Sequence, residues 1–145
     1  MSKINRYVFV LWGERFEEAA AAIFVTELRK AGLLVKLVGL DSGHLSGANG
    51  LKLLPDLTLG QALLRATQAI CVIFPCRSAD IQPFNHDPRL REFIGQAQAS
   101  GARFIIKSAA ELEDFELGLC PMVYPEGEAL LEFAAELAQV LSAMQ

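Results

Sequence analysis

Histidine, tryptophan and cysteine are scarce in this chain, at two, one and three residues in 145. Neither His44 nor His86 has a carboxylate or thiol at ligand spacing, and the cysteines form no CxxC pair. A zinc site and a disulfide framework are therefore not expected, and the thiols read as reduced. Basic residues are also few, 13 against 17 acidic for a formal net charge of -4, and they are scattered along the chain. Phosphate backbones need a concentrated basic surface, so nucleic acid is not an expected partner. No apolar run reaches the roughly 18 to 20 residues of a membrane span, and the N-terminal stretch 1–7 lacks the apolar segment and small-residue cleavage site of a signal peptide. The expectation is a cytoplasmic protein with no membrane partner and no cofactor.

What the chain does have is apolar material, 52% of its residues. That is ample for the core of one domain spanning 1–145. Residues 7–12 form a continuous apolar run of strand length, the pattern of a parallel strand covered on both faces. From 16 to 31, Ala20, Ile23, Phe24, Leu28 and Ala31 recur at helical spacing, with Glu14, Glu17 and Glu18 near the start and Arg29 and Lys30 near the end. Those charges complement a helix dipole, and Gly32 is placed to end the helix. A second strand follows at 33–39, completing a right-handed strand-helix-strand unit.

Residues 41–49 are turn-rich, and 50–56 read as a short edge strand ended by Pro55. Thr58 is placed to cap a helix over 59–65. A strand at 69–74, an irregular loop at 75–86, and a helix at 88–99 with Asp87 as N-cap and Pro88 at its first position come next. Strand 102–107, a further strand at 119–124 and an amphipathic helix over 127–144 close the chain. The order predicts an α/β fold, an open and mostly parallel sheet sandwiched between helices.

Particular residues within this order resemble the ThiJ/PfpI superfamily. Gly13-Glu-Arg-Phe-Glu-Glu18 before a helix ending Ala31-Gly32 is similar to its first loop and helix. Ser46-Gly-Ala-Asn-Gly-Leu-Lys-Leu-Leu-Pro-Asp56 resembles its glycine-to-Pro-Asp segment, and Asp87-Pro-Arg-Leu-Arg-Glu-Phe93 its helix before the elbow strand. Tyr124-Pro-Glu-Gly127 and the helix after it look like the closing turn and helix. The resemblance spans nearly the whole chain. It implies a flavodoxin-like three-layer sandwich of the class I glutamine-amidotransferase-like type, and a group whose members include deglycase-like, protease-like and amidase-like proteins.

The departures fall where that family does its chemistry. Its elbow, of the type Ala-Ile-Cys-Ala-Gly-Pro, is Ile106-Lys-Ser-Ala-Ala-Glu111 here, so Ser108 stands at the position of the reactive cysteine. The helper glutamate of its first helix maps to Ala20, whose methyl cannot hold a proton. Its Pro-Gly-Gly turn is Pro75-Cys-Arg77, and the stretch between elbow and final helix is shorter than relatives carry. The resemblance therefore implies a degenerate, shortened member.

Two residues are candidate nucleophiles. Ser108 needs a base, and the adjacent Lys107 points to the opposite face if the strand continues, so a turn or capping serine is the plainer reading. Cys76 sits at a strand's carboxyl end, where open α/β sheets bind ligands, and Arg77 beside it favours a thiolate; an inert strand-end thiol is the plainer reading there too. Cys71 and Cys120 lie in apolar runs and read as core. Glu14, Glu17, Arg77 and Lys107 are candidate ligand-binding residues at the crevice rim, Arg77 and Lys107 for a small anion. Helix-dipole and ion-pairing roles compete with these.

The favoured expectation is a non-catalytic pseudoenzyme binding a small molecule or a protein partner at an altered crevice. The alternative is a hydrolase, deglycase or thiol redox protein with chemistry relocated to Cys76. A purely structural subunit is a third reading. A homodimer is expected, from the resemblance and from the smooth helix surface of alanines 19–22.

Overall fold

The computed structural model describes residues 5–11, 15–40, 43–75, 87–107 and 122–144. Among the described residues six strands make a parallel sheet: β1 (Tyr7–Leu11), β2 (Leu34–Gly39), β5 (Leu57–Thr58), β6 (Ala69–Ile73), β7 (Arg103–Ile106) and β8 (Met122–Val123), in the order β5-β2-β1-β6-β7-β8. Every described pairing in it is parallel. β1 sits near the middle, pairing Val8 with both Val35 and Cys71, and every residue of β1 and β6 is buried. Burial of both alternating sets of side chains means both faces are covered, which is why these segments read as unbroken apolar runs.

Among the described residues the covers are four helices. α1 (Glu18–Lys30) packs on α4 (Ala129–Ala143), while α2 (Leu59–Leu63) and the 3-10 turn Ala66–Gln68 pack on α3 (Pro88–Ala99). Local chemistry places their ends. Thr58 and Gln61 form a reciprocal capping box at α2, Asp87 accepts from the Arg89 N–H with Pro88 behind it at α3, and Gly32 leaves α1 at φ 86°, a conformation open to glycine at little cost.

The expected edge strand at 50–56 is arranged differently. Only Lys52–Leu53 (β4) is extended, and it pairs antiparallel with Leu45–Ser46 (β3) in a separate hairpin, leaving β5 as the sheet edge. At the opposite edge, β8 pairs with Ile105 and Ile106, so Met122–Val123 of the expected 119–124 strand join the main sheet, while 119–121 lie outside the described residues. Among the described residues no polar or charged residue is buried, and no helix is long and apolar enough to cross a membrane.

Candidate functional site

In an open parallel sheet the carboxyl ends of the strands form the edge where ligands bind. Three elements converge there. The N-cap of α1, Glu17, donates its backbone N–H to the Pro75 carbonyl at 2.7 Å, pinning the helix start to the end of β6. Its carboxylate makes no capping bond and turns instead toward β7 and β8. Glu17 Oε1 lies 2.6 Å from Lys107 Nζ, and the Tyr124 hydroxyl donates to the same oxygen at 3.0 Å. Lys107 Nζ also lies 3.7 Å from Glu126.

The pieces of this cluster are held firmly. Tyr124 follows β8, donates its N–H to the Ile106 carbonyl at 3.0 Å, and sets its ring edge-on to Phe24 of α1 at 5.4 Å between centroids. It is 2% exposed, whereas the Lys107 and Glu17 side chains are 22% and 29% exposed. The result is a buried phenol presenting its oxygen to a rim-level ion pair. Lys107 thus faces two carboxylates, those of Glu17 and Glu126.

One turn along α1, Ala20 is 1% exposed on the inner helix face with Ala21, Phe24 and Leu28. The position that the resemblance assigns to a helper glutamate thus presents a methyl group to the core. Its neighbour Glu18 is occupied elsewhere. Its carboxylate accepts the backbone N–H groups of Asn49 at 2.6 Å and Leu51 at 2.7 Å, stapling the β3–β4 hairpin to the helix. Desolvation works to raise the Glu18 carboxyl, and the Leu51 and Asn49 donors together overcome it, holding it below its ordinary value. A dipole role alone, as the sequence suggests, understates this residue.

The hairpin is stitched to the same loop by the backbone. Arg15 N–H donates to Ser46 O at 2.8 Å, Ala48 N–H to Phe16 O at 3.0 Å, and Phe16 bridges Gly47. Arg15 adopts φ 63°, a left-handed conformation uncommon for a residue with a side chain. Gly47 is required by space, since a Cβ there would run into Glu18 Cγ.

Of the residues singled out from the sequence, Glu17 and Lys107 are brought together, while Glu14, Cys76, Arg77 and Ser108 lie outside the described residues, as do His86 and Cys120. Cys71 is fully buried, and burial pushes its thiol up to about 12 against the pull of Arg103, the signature of an inert core cysteine. His44 is exposed, and no group of three potential metal ligands occurs among the described residues. Tyr124 is the site residue that sequence reasoning passes over. Its one legible signal is chemical: a tyrosine inside a strand-to-helix closure must find a partner for its hydroxyl when the ring is buried.

No family model and no curated protein matches the sequence. Solved structures do match in shape. DJ-1beta of Drosophila melanogaster superposes with a TM-score of 0.77 at 15% identity, over 94% of this chain and 90% of that one. Oxidized DJ-1 of Toxoplasma gondii gives 0.73 at 17%, over 96% and 97%. A ThiJ/PfpI domain protein from Brachyspira murdochii gives 0.72 at 14%, over 99% and 100%.

Proposed function

We propose that this chain, which has the flavodoxin-like fold of the DJ-1/ThiJ/PfpI structures, is a non-catalytic version of that fold that binds a small ligand at the strand-end crevice. The observation that carries the reading is the interlocked Glu17–Lys107–Tyr124 cluster. A general base must have its carboxylate available to the reacting proton, whereas Glu17 spends one oxygen on an ammonium and a phenol. Ala20 offers no substitute on the inner face of α1, and Ser108 replaces the family's thiol. The two carboxylates already on Lys107 compete with a bound anion, which favours a neutral or cationic ligand bearing N–H donors over the small anion that Lys107 would suit if it stood alone.

The test is turnover of dicarbonyl and amide substrates by the purified chain and by a Cys76→Ala, Ser108→Ala double variant. Equal, background-level rates support the reading. A wild-type rate well above the variant's sinks it and favours the second one, chemistry relocated to Cys76. Alkylation of each cysteine against pH then assigns the group: fast labelling of Cys76 below about pH 7, well under the roughly 8.5 of a model thiol, marks a reactive thiolate.

A further inference from the structure

The β8 edge differs from the β5 edge in what lies beside it. Met122 and Val123, the whole of β8, are 40% and 44% exposed, and among the described residues no strand pairs with their outer side. Next to them α4 presents Phe133, Glu136, Leu137 and Val140, with Val140 43% exposed. A cavity of about 110 Å³ lies between strand and helix, its wall completed by Arg103 at the start of β7. Such a volume takes roughly three or four waters, yet its lining is mostly hydrocarbon and suits one aliphatic side chain better.

Two charges flank this hollow. Arg103 and Glu136 line the same cavity, and neither belongs to an ion pair among the described residues. A two-fold interface sets one patch against its own copy, so that residue i meets j while j meets i. One cation and one anion beside an apolar centre meet that condition without help from any other surface. The α1–α4 groove is a weaker site for a copy. Its Glu27 and Lys30 already pair with each other at 3.5 Å, and Ala20 and Ala21 of the alanine run are turned into the core.

We propose that β8 and the outer face of α4 form the interface with a second copy of this chain. Arg103 of each copy pairs with Glu136 of the other, and an apolar side chain from each enters the facing hollow. The 15 residues of α4 extend about 22 Å, and β8 beside it widens the surface toward the roughly 800 Å² per partner that a stable dimer buries. The interface lies on the sheet edge and does not depend on what the crevice binds, so either reading can fail without the other.

Sedimentation velocity on the full chain tests it with two exposed-site variants, Arg103→Glu and Glu136→Arg. Wild type is expected to sediment as a dimer at micromolar concentration. Each variant sets like charges face to face twice and is expected to weaken dimerisation by about a hundredfold. An equimolar mixture of the two restores both oppositely charged contacts and is expected to recover the dimer. A monomeric wild type, variants that dimerise like wild type, or a mixture of folded variants that stays monomeric would each overturn the proposal. Circular dichroism of each variant confirms that it is folded.

Discussion

Tyr124→Phe removes one oxygen and leaves the ring, its edge-on contact with Phe24 and its burial in place. What is lost is a hydrogen bond to a charged acceptor, a class worth about 1.5 to 3 kcal/mol. The low end applies, because the Glu17 side chain is 29% exposed and Lys107 still neutralises it at 2.6 Å. The expected cost is about 1.5 kcal/mol, which for a domain of this size lowers the melting temperature by roughly 5 °C. Glu17→Gln breaks the ion pair as well. The pair is neither fully exposed nor fully buried, and its loss falls between the ~0.5 kcal/mol of surface pairs and the 3 to 5 kcal/mol of buried ones, at about 1.5 kcal/mol. A glutamine carbonyl still accepts the phenol weakly, so the double variant should fall short of additivity by about 1 kcal/mol. Urea titration of the four proteins at constant m-value reads all three quantities. An unchanged midpoint in Tyr124→Phe, or additivity within about 0.3 kcal/mol, refutes the claim that the cluster acts as a unit.

Glu18 carries a prediction in pH. Its carboxyl is depressed in the folded chain, so its contribution is complete above the unfolded carboxylate range and is lost as pH falls through the folded value. Glu18→Gln should therefore flatten the acid limb of stability against pH and speed amide exchange at Asn49 and Leu51, and parallel pH curves would contradict this. Gly47→Ala should cost about 1 to 3 kcal/mol by forcing the Glu18 side chain away, with most of the loss disappearing in a Glu18→Ala background; equal costs in the two backgrounds would show that the collision is not the cause. Cys71 should react with iodoacetamide only as fast as the chain opens, and labelling of the native protein at the rate of an exposed thiol would disprove its sealed position.

The central strands were legible because burial on both faces leaves no polar residue to break the run, as in residues 7–11 and 69–73. Helix ends were legible wherever a single residue type does the work, at Gly32, Thr58 and Asp87. The β3–β4 hairpin was not. Two-residue strands carry no periodicity, and what secures this pair is a carboxylate more than thirty residues away in the chain, Glu18 reaching Asn49 and Leu51 across 31 and 33 positions. The site shows the same division. Glu17 and Lys107 could be named singly as charged residues near strand ends, but their pairing, and the entry of Tyr124 from 107 positions along the chain, depend on a sheet order that residue spacing does not disclose. Fold and site part company at that point, since the fold rests on local pattern and the site on long-range register.

The position of β1 has a consequence for how the protein must be made. Tyr7–Leu11 is synthesised before both of its neighbours in the sheet, which begin at Leu34 and Ala69. Until residue 73 has left the ribosome, one edge of a wholly apolar strand stays unpaired, and closing it carries the loop entropy of a long-range parallel contact. Slow elongation or truncation within that interval leaves a nascent chain with an adhesive unpaired strand, the kind of segment that chaperones hold. Synonymous codon changes upstream of residue 73 should accordingly alter soluble yield more than the same changes in α4.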